Sequence, residues 1–191
     1  MKQPLLIIST VLTALFILAG VYIFRSQPVV QNESAVTQSG KLRVVATFYP
    51  LGEFARQVGG DLADVSVVVP AGSEPHEYEP TPQDIASLYA ANIVVINGAG
   101  MDAWATKIQP DLESKGVKVL VMSQSLGFDS GDVTVRDDSE GIDPHFWLDP
   151  VLAQNEIMAI EEAFAKVDAN HASVYTDNAG IYTEKLSELD R

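Results

Sequence analysis

The 191-residue sequence contains no cysteine. That absence excludes disulfides and thiolate metal sites, and it excludes a lipid-modified cysteine at the end of an amino-terminal apolar run. It leaves the redox compartment open. Histidine is scarce, with three residues, so imidazole-based metal chemistry has few possible ligands. Basic residues are also few: 12 Lys and Arg stand against 26 Asp and Glu, for a formal net charge of −14. Every acid follows position 25, while Lys2 and Arg25 lie at or before it, so 10 basic residues against 26 acidic ones leave −16 on the remainder. Such a surface repels nucleic acid and anionic headgroups and raises the local concentration of cations. The sequence also lacks an HExxH helix, a nucleophile elbow and a phosphate-cradling glycine loop, which removes the commonest signatures of an enzyme. No internal repeat or low-complexity block stands out.

With 47% hydrophobic and 20% charged residues, the composition is that of a globular chain. One long apolar run stands apart, Pro4 to Phe24, 21 residues interrupted by Ser9, Thr10 and Thr13. A helix of ~20 apolar residues spans a bilayer core. Lys2 ahead of the run favours a cytoplasmic start and an exported remainder. Residues 1–26 are therefore read as a signal or anchor segment. Gln27 to Gly40 is polar, without aromatics or a sustained period, and reads as a flexible tether.

From Lys41 onward strand and helix patterns alternate. Leu42 to Thr47, Val65 to Val69, Ile93 to Ile96 and Val117 to Val121 are short β-branched runs, the mark of buried strands. Between them lie helical patterns opened at Pro50 and at Thr81-Pro82, and a third carrying Met101, Trp104, Ile108 and Leu112 on one face. The fold class is α/β: a parallel four-stranded sheet with flanking helices, preceded by the amino-terminal membrane segment. Right-handed crossovers place every strand-to-helix loop on one edge, where such folds bind ligands. Ser123 to Ile142 reads as a long acidic loop with a cation-gathering role or none. Two long helices close the chain: one capped by Asp149 with a stripe from Ile157 to Val167, the other striped from Tyr175 to Leu189. The second stripe has no visible partner in the sequence, which predicts self-association through it.

Two of the three histidines share a context, Glu74-Pro75-His76 and Asp143-Pro144-His145. Proline restricts itself and the residue before it, so each imidazole sits in a stiff loop at the carboxyl edge of the sheet. Two stiff imidazoles among carboxylates suit a divalent metal. Glu74, Glu77, Glu79 and Asp143 are nearby acids, and Glu77 is the preferred auxiliary ligand. His171, in the turn between the two long helices, reads as a surface or capping residue.

The segments PAGSEPHEYEPTPQD (Pro70 to Asp84) and DPHFWLDP (Asp143 to Pro150) resemble the metal-binding signatures of zinc and manganese ABC-importer solute-binding proteins. VVATFYPL (Val44 to Leu51) and NGAGMDAW (Asn97 to Trp104) are similar to that family as well, and the likeness extends over Lys41 to Arg191. The resemblance implies two α/β lobes joined by one long helix, with a metal between them. Residues 41–172 would be the amino-terminal lobe, giving His76 and His145. Residues 173–191 would begin the inter-lobe spine, and the other two ligands would belong to a second lobe. The expectation is thus a fragment with half of the cage. It also implies zinc or manganese as cargo, an ABC importer permease as partner, attachment to the membrane through the amino-terminal segment, and no bond chemistry. A metal-dependent hydrolase using the two histidines and a neighbouring glutamate, or an adhesin-like surface domain, are the alternatives.

Overall fold

The computed structural model describes residues 40–128, 136–137 and 141–189. The amino-terminal apolar run, the tether up to Ser39 and most of the acidic loop lie outside the described residues. Among those described, no helix is long and apolar enough to cross a membrane.

Four strands form one sheet: β1 (Leu42–Ala46), β2 (Ala63–Val67), β3 (Ile93–Ile96) and β4 (Lys118–Val121), in the order β2-β1-β3-β4. Every pairing is parallel, with Val44 opposite both Val65 and Ile93, and Ile96 opposite Val121. The second strand starts two residues earlier than its β-branched run suggests. Val68 and Val69 nevertheless extend the ladder, donating to the carbonyls of Ala46 and Thr47. The central strands are buried on both faces, as parallel pairing requires. Val44, Ala46, Ile93 and Val95 face one core, while Val45, Val94 and Ile96 face the other.

The helices divide between these faces. Helix α2 (Pro82–Tyr89) and helix α3 (Ala103–Ser114) cover one through Leu88, Ala105 and Leu112. Helix α1 (Tyr49–Gly59) covers the other through Leu51, Phe54 and Val58. A four-residue helix α4 (Met122–Ser125) follows β4, and β5 (Arg136–Asp137) pairs antiparallel with β6 (Gly141–Ile142), so the region read as loop contains three short elements. Helix α5 (Pro150–Val167) and helix α6 (Ala172–Leu189) complete the core on the same face as α1.

The stripe on α6 is covered as far as Leu186, while Leu189 at its end is exposed. Tyr175 and Ala179 are buried, and Tyr182 and Leu186 pack against the same core. Tyr175 meets Phe164 edge-on at 5.4 Å, and Tyr182 lies 6.2 Å from Phe54. Asn178 donates to the Val58 carbonyl at 2.9 Å, and Ser187 donates to Gln154 at 3.0 Å. The apolar side chains from Tyr175 to Leu186 thus find partners within the chain, on α1 and α5, which leaves Leu189 as the part of the stripe open to a second copy. His171 does serve the turn: its Nδ1 and the Tyr175 hydroxyl both meet Asp168 Oδ2 at 2.7 Å.

Candidate metal centre

Each histidine rests on the same local device. After β2 the chain turns at Gly72, whose φ of 84° suits glycine. Glu74 then accepts the His76 amide at 3.3 Å and caps a single 3-10 turn, Pro75–Glu77. Downstream, Asp84 accepts from the Thr81 amide and hydroxyl, both at 2.7 Å, and from the Tyr78 hydroxyl at 2.9 Å. The Thr81 hydroxyl also accepts the Asp84 amide, completing a capping box on α2. These bonds, the Thr81 hydroxyl foremost, hold the Asp84 carboxyl below its usual range. The PHEYEPTPQD stretch is therefore a loop sewn to the helix that follows it.

At the second motif Asp143 accepts the His145 amide at 3.0 Å, as Glu74 does for His76, and also meets His145 Nδ1 at 2.7 Å. The two bonds, the backbone one first, lower the Asp143 carboxyl below its usual range. An acceptor on Nδ1 fixes the proton there and leaves the Nε2 lone pair free. Beneath the imidazole, the Trp147 ring lies 5.2 Å away and packs edge-on against Phe48 at 4.7 Å. Asp149 caps α5 by accepting from Val151 and Leu152, with Pro150 at the first helical position.

The structure brings His76 and His145 together. Their Nε2 atoms are 3.5 Å apart, with ring planes inclined at 57°. Two nitrogens bound at the Zn–N length in tetrahedral geometry stand about 3.3 Å apart. The pair therefore has the bite of two ligands on one ion. Both rings face solvent, the His145 side chain being 45% exposed. Glu77 is exposed in the same turn as His76, and no group of three or more His, Cys, Asp or Glu able to hold a metal occurs among the described residues. Asp143 is within reach of His145 but on the ring atom that points away from the pair.

Sequence reasoning missed a buried polar network beneath this edge. Asp102, 2% exposed, accepts from the Thr47 hydroxyl at 2.5 Å, the Asn97 amide at 2.8 Å and the Gly98 amide at 2.9 Å. Burial raises its carboxyl above the usual range, while the Thr47, Asn97 and Gly98 bonds pull it back. The available signal was an acid five residues after the asparagine that follows β3.

The family model described as zinc-uptake complex component A, periplasmic, matches residues 44–191. That description is of a transport component, not of an enzyme. The chain is 35% identical over 167 residues to the high-affinity zinc uptake system protein ZnuA of Bacillus subtilis, covering 83% of this chain and 52% of that protein. It is 30% identical to the manganese-binding lipoprotein MntA of Halalkalibacterium halodurans, covering 83% of this chain and 51% of the relative. The fold superposes on the Zn(II)-bound ZnuA-like domain of Streptococcus pneumoniae AdcA with a TM-score of 0.70 and 36% identity, over 79% of this chain and 54% of that one. The chain spans about half the length of these relatives. On the match over residues 44–191, with two histidine motifs set on one edge of a parallel sheet, the chain belongs to the ZnuA family of zinc-uptake components.

Proposed function

We propose that this chain captures a divalent metal ion, zinc or manganese, outside the cytoplasmic membrane and passes it to the permease of an ABC importer. His76 and His145 are the ligands, each binding through Nε2. The observation that carries this reading is their 3.5 Å separation, which matches the spacing of two tetrahedral ligands. The acidic surface supports it by concentrating cations near the site. Asp143 acts on the far side of the His145 ring, and Glu77 is the auxiliary ligand, its carboxylate turning toward the pair when metal arrives. The remaining positions are filled by water, or by a second lobe of the kind for which the greater length of the relatives leaves room.

In this reading residues 1–26 direct export and hold the chain at the membrane, and residues 27–40 are a tether. Residues 41–172 form the metal-binding lobe, and residues 173–191 begin the helix leading toward a second lobe. Calorimetric titration of the full chain in mild detergent with zinc and with manganese tests the assignment. Heat present in the wild type and absent in the His76→Ala/His145→Ala variant is expected. Equal heats in both proteins would move the site elsewhere.

A further inference from the structure

The His145 imidazole is exposed and stands on a loop, yet its Nε2 sits at a defined distance from His76. One bond anchors the loop from below. Asn97, wholly buried, donates its side-chain amide to the Pro144 carbonyl at 3.0 Å, across 47 residues of sequence. That carbonyl belongs to the peptide bond that enters His145, so moving it moves the imidazole. Asn97 is itself held by Asp102, which takes its backbone amide on the oxygen that also takes the Thr47 hydroxyl. The other Asp102 oxygen takes the Gly98 amide. One buried carboxylate thus joins the carboxyl ends of β1 and β3, adjacent strands at the centre of the sheet.

The turn so closed is strained. Gly98, Ala99 and Gly100 have φ of 77°, 49° and 84°, and Ala99 is the one non-glycine in this region among the described residues. Left-handed backbone at an alanine brings its Cβ too close to the following carbonyl oxygen. Such strain persists only where surrounding bonds over-determine it. Here the Asp102 carboxylate supplies those bonds, and their outcome is an asparagine amide aimed at the histidine loop.

We propose that Asn97 is a positioning residue for the metal site: with Asp102 holding it, its amide sets the distance of His145 from His76. The proposal rests on the metal-binding reading above. A purely structural role would make Asn97 equivalent to any other asparagine–carbonyl bond that ties distant parts of the fold together. Asn178 provides that comparison, since its amide donates to the Val58 carbonyl at 2.9 Å on a side chain with no bond to the histidine loops.

The test compares wild type, Asn97→Ala and Asn178→Ala as full chains in mild detergent, by zinc affinity and by the visible spectrum of bound cobalt(II). Asn97→Ala is expected to weaken zinc on the order of tenfold, as loss of an outer partner of a metal ligand does, and to change the cobalt bands. Asn178→Ala is expected to lower thermal stability without altering either metal readout. Equal zinc affinity and identical cobalt spectra in the wild type and Asn97→Ala overturn the proposal, as does an equal loss in both variants. Should Asn97→Ala fail to fold, Thr47→Val removes the far arm of the same network. A shifted cobalt spectrum then supports the proposal and an unshifted one overturns it. A wild type that binds neither metal overturns the binding reading itself, a separate result.

Discussion

Glu156 lies wholly buried on α5, and neither carboxylate oxygen meets a donor among the described residues. Burial alone pushes its carboxyl up from 4.5 to about 8. A group with a raised folded pKa is stabilising only while protonated, so the native state is favoured below the unfolded value and penalised as pH rises. The loss begins near pH 4.5 and is complete once pH passes the folded value of about 8. Each pH unit in that window costs 1.36 kcal/mol, which gives about 3 kcal/mol at pH 7 and about 5 kcal/mol at the plateau. Glu156→Gln retains the size and a neutral polar head but cannot ionise, so it removes the pH-dependent part alone. At pH 7 about 3 kcal/mol corresponds to a gain of roughly 6–12 °C in Tm for a chain of this size. Thermal unfolding of both proteins, followed by circular dichroism from pH 4 to 9, measures the difference directly. The two curves should meet near pH 4.5 and diverge upward. Parallel curves across that range would refute the reasoning and imply a partner for Glu156 in solution.

Two further outcomes follow from the site. Asp143→Ala removes the two bonds that Asp143 makes to His145 and should weaken zinc about 10–100-fold, with little change in unfolding midpoint because Asp143 is half exposed. Calorimetry beside a melting curve separates the two effects. At Gly98, with φ of 77°, an added Cβ would lie 2.3 Å from the Ser123 hydroxyl and 2.8 Å from a Val121 methyl. Gly98→Ala should therefore cost about 2–4 kcal/mol, read as a lower midpoint in urea, and unchanged stability would show that the turn relaxes freely.

Short-range chemistry was legible in the sequence. The β-branched runs marked four strands because parallel strands bury both faces. Pro82 and Pro150 marked helix starts because a missing amide donor is harmless there. The acid–proline–histidine pairs pointed to stiff loops, and both loops reach one edge of the sheet, as βα topology requires. Bonds that close across the fold left no such trace. Thr47 and Asp102 are 55 residues apart, Asn97 and Pro144 47 apart, and no local pattern joins them. The α6 stripe looked unpartnered because its partners, Phe54, Val58 and Phe164, lie on helices that only the tertiary fold brings alongside. Glu156 stands next to Ile157 of the α5 stripe, and no local pattern marks it as buried. Asp143 read as a candidate ligand, whereas its contact with Nδ1 places it behind the imidazole.

The central claim is that one divalent ion sits between His76 and His145. X-ray absorption at the zinc edge, recorded on the stoichiometrically loaded full chain and on the His76→Ala/His145→Ala variant, tests it most directly. The wild type is expected to show nitrogen and oxygen neighbours with imidazole scattering from two rings, and the variant to lose that scattering. Imidazole scattering that persists in the variant, or is missing from the wild type, would contradict it.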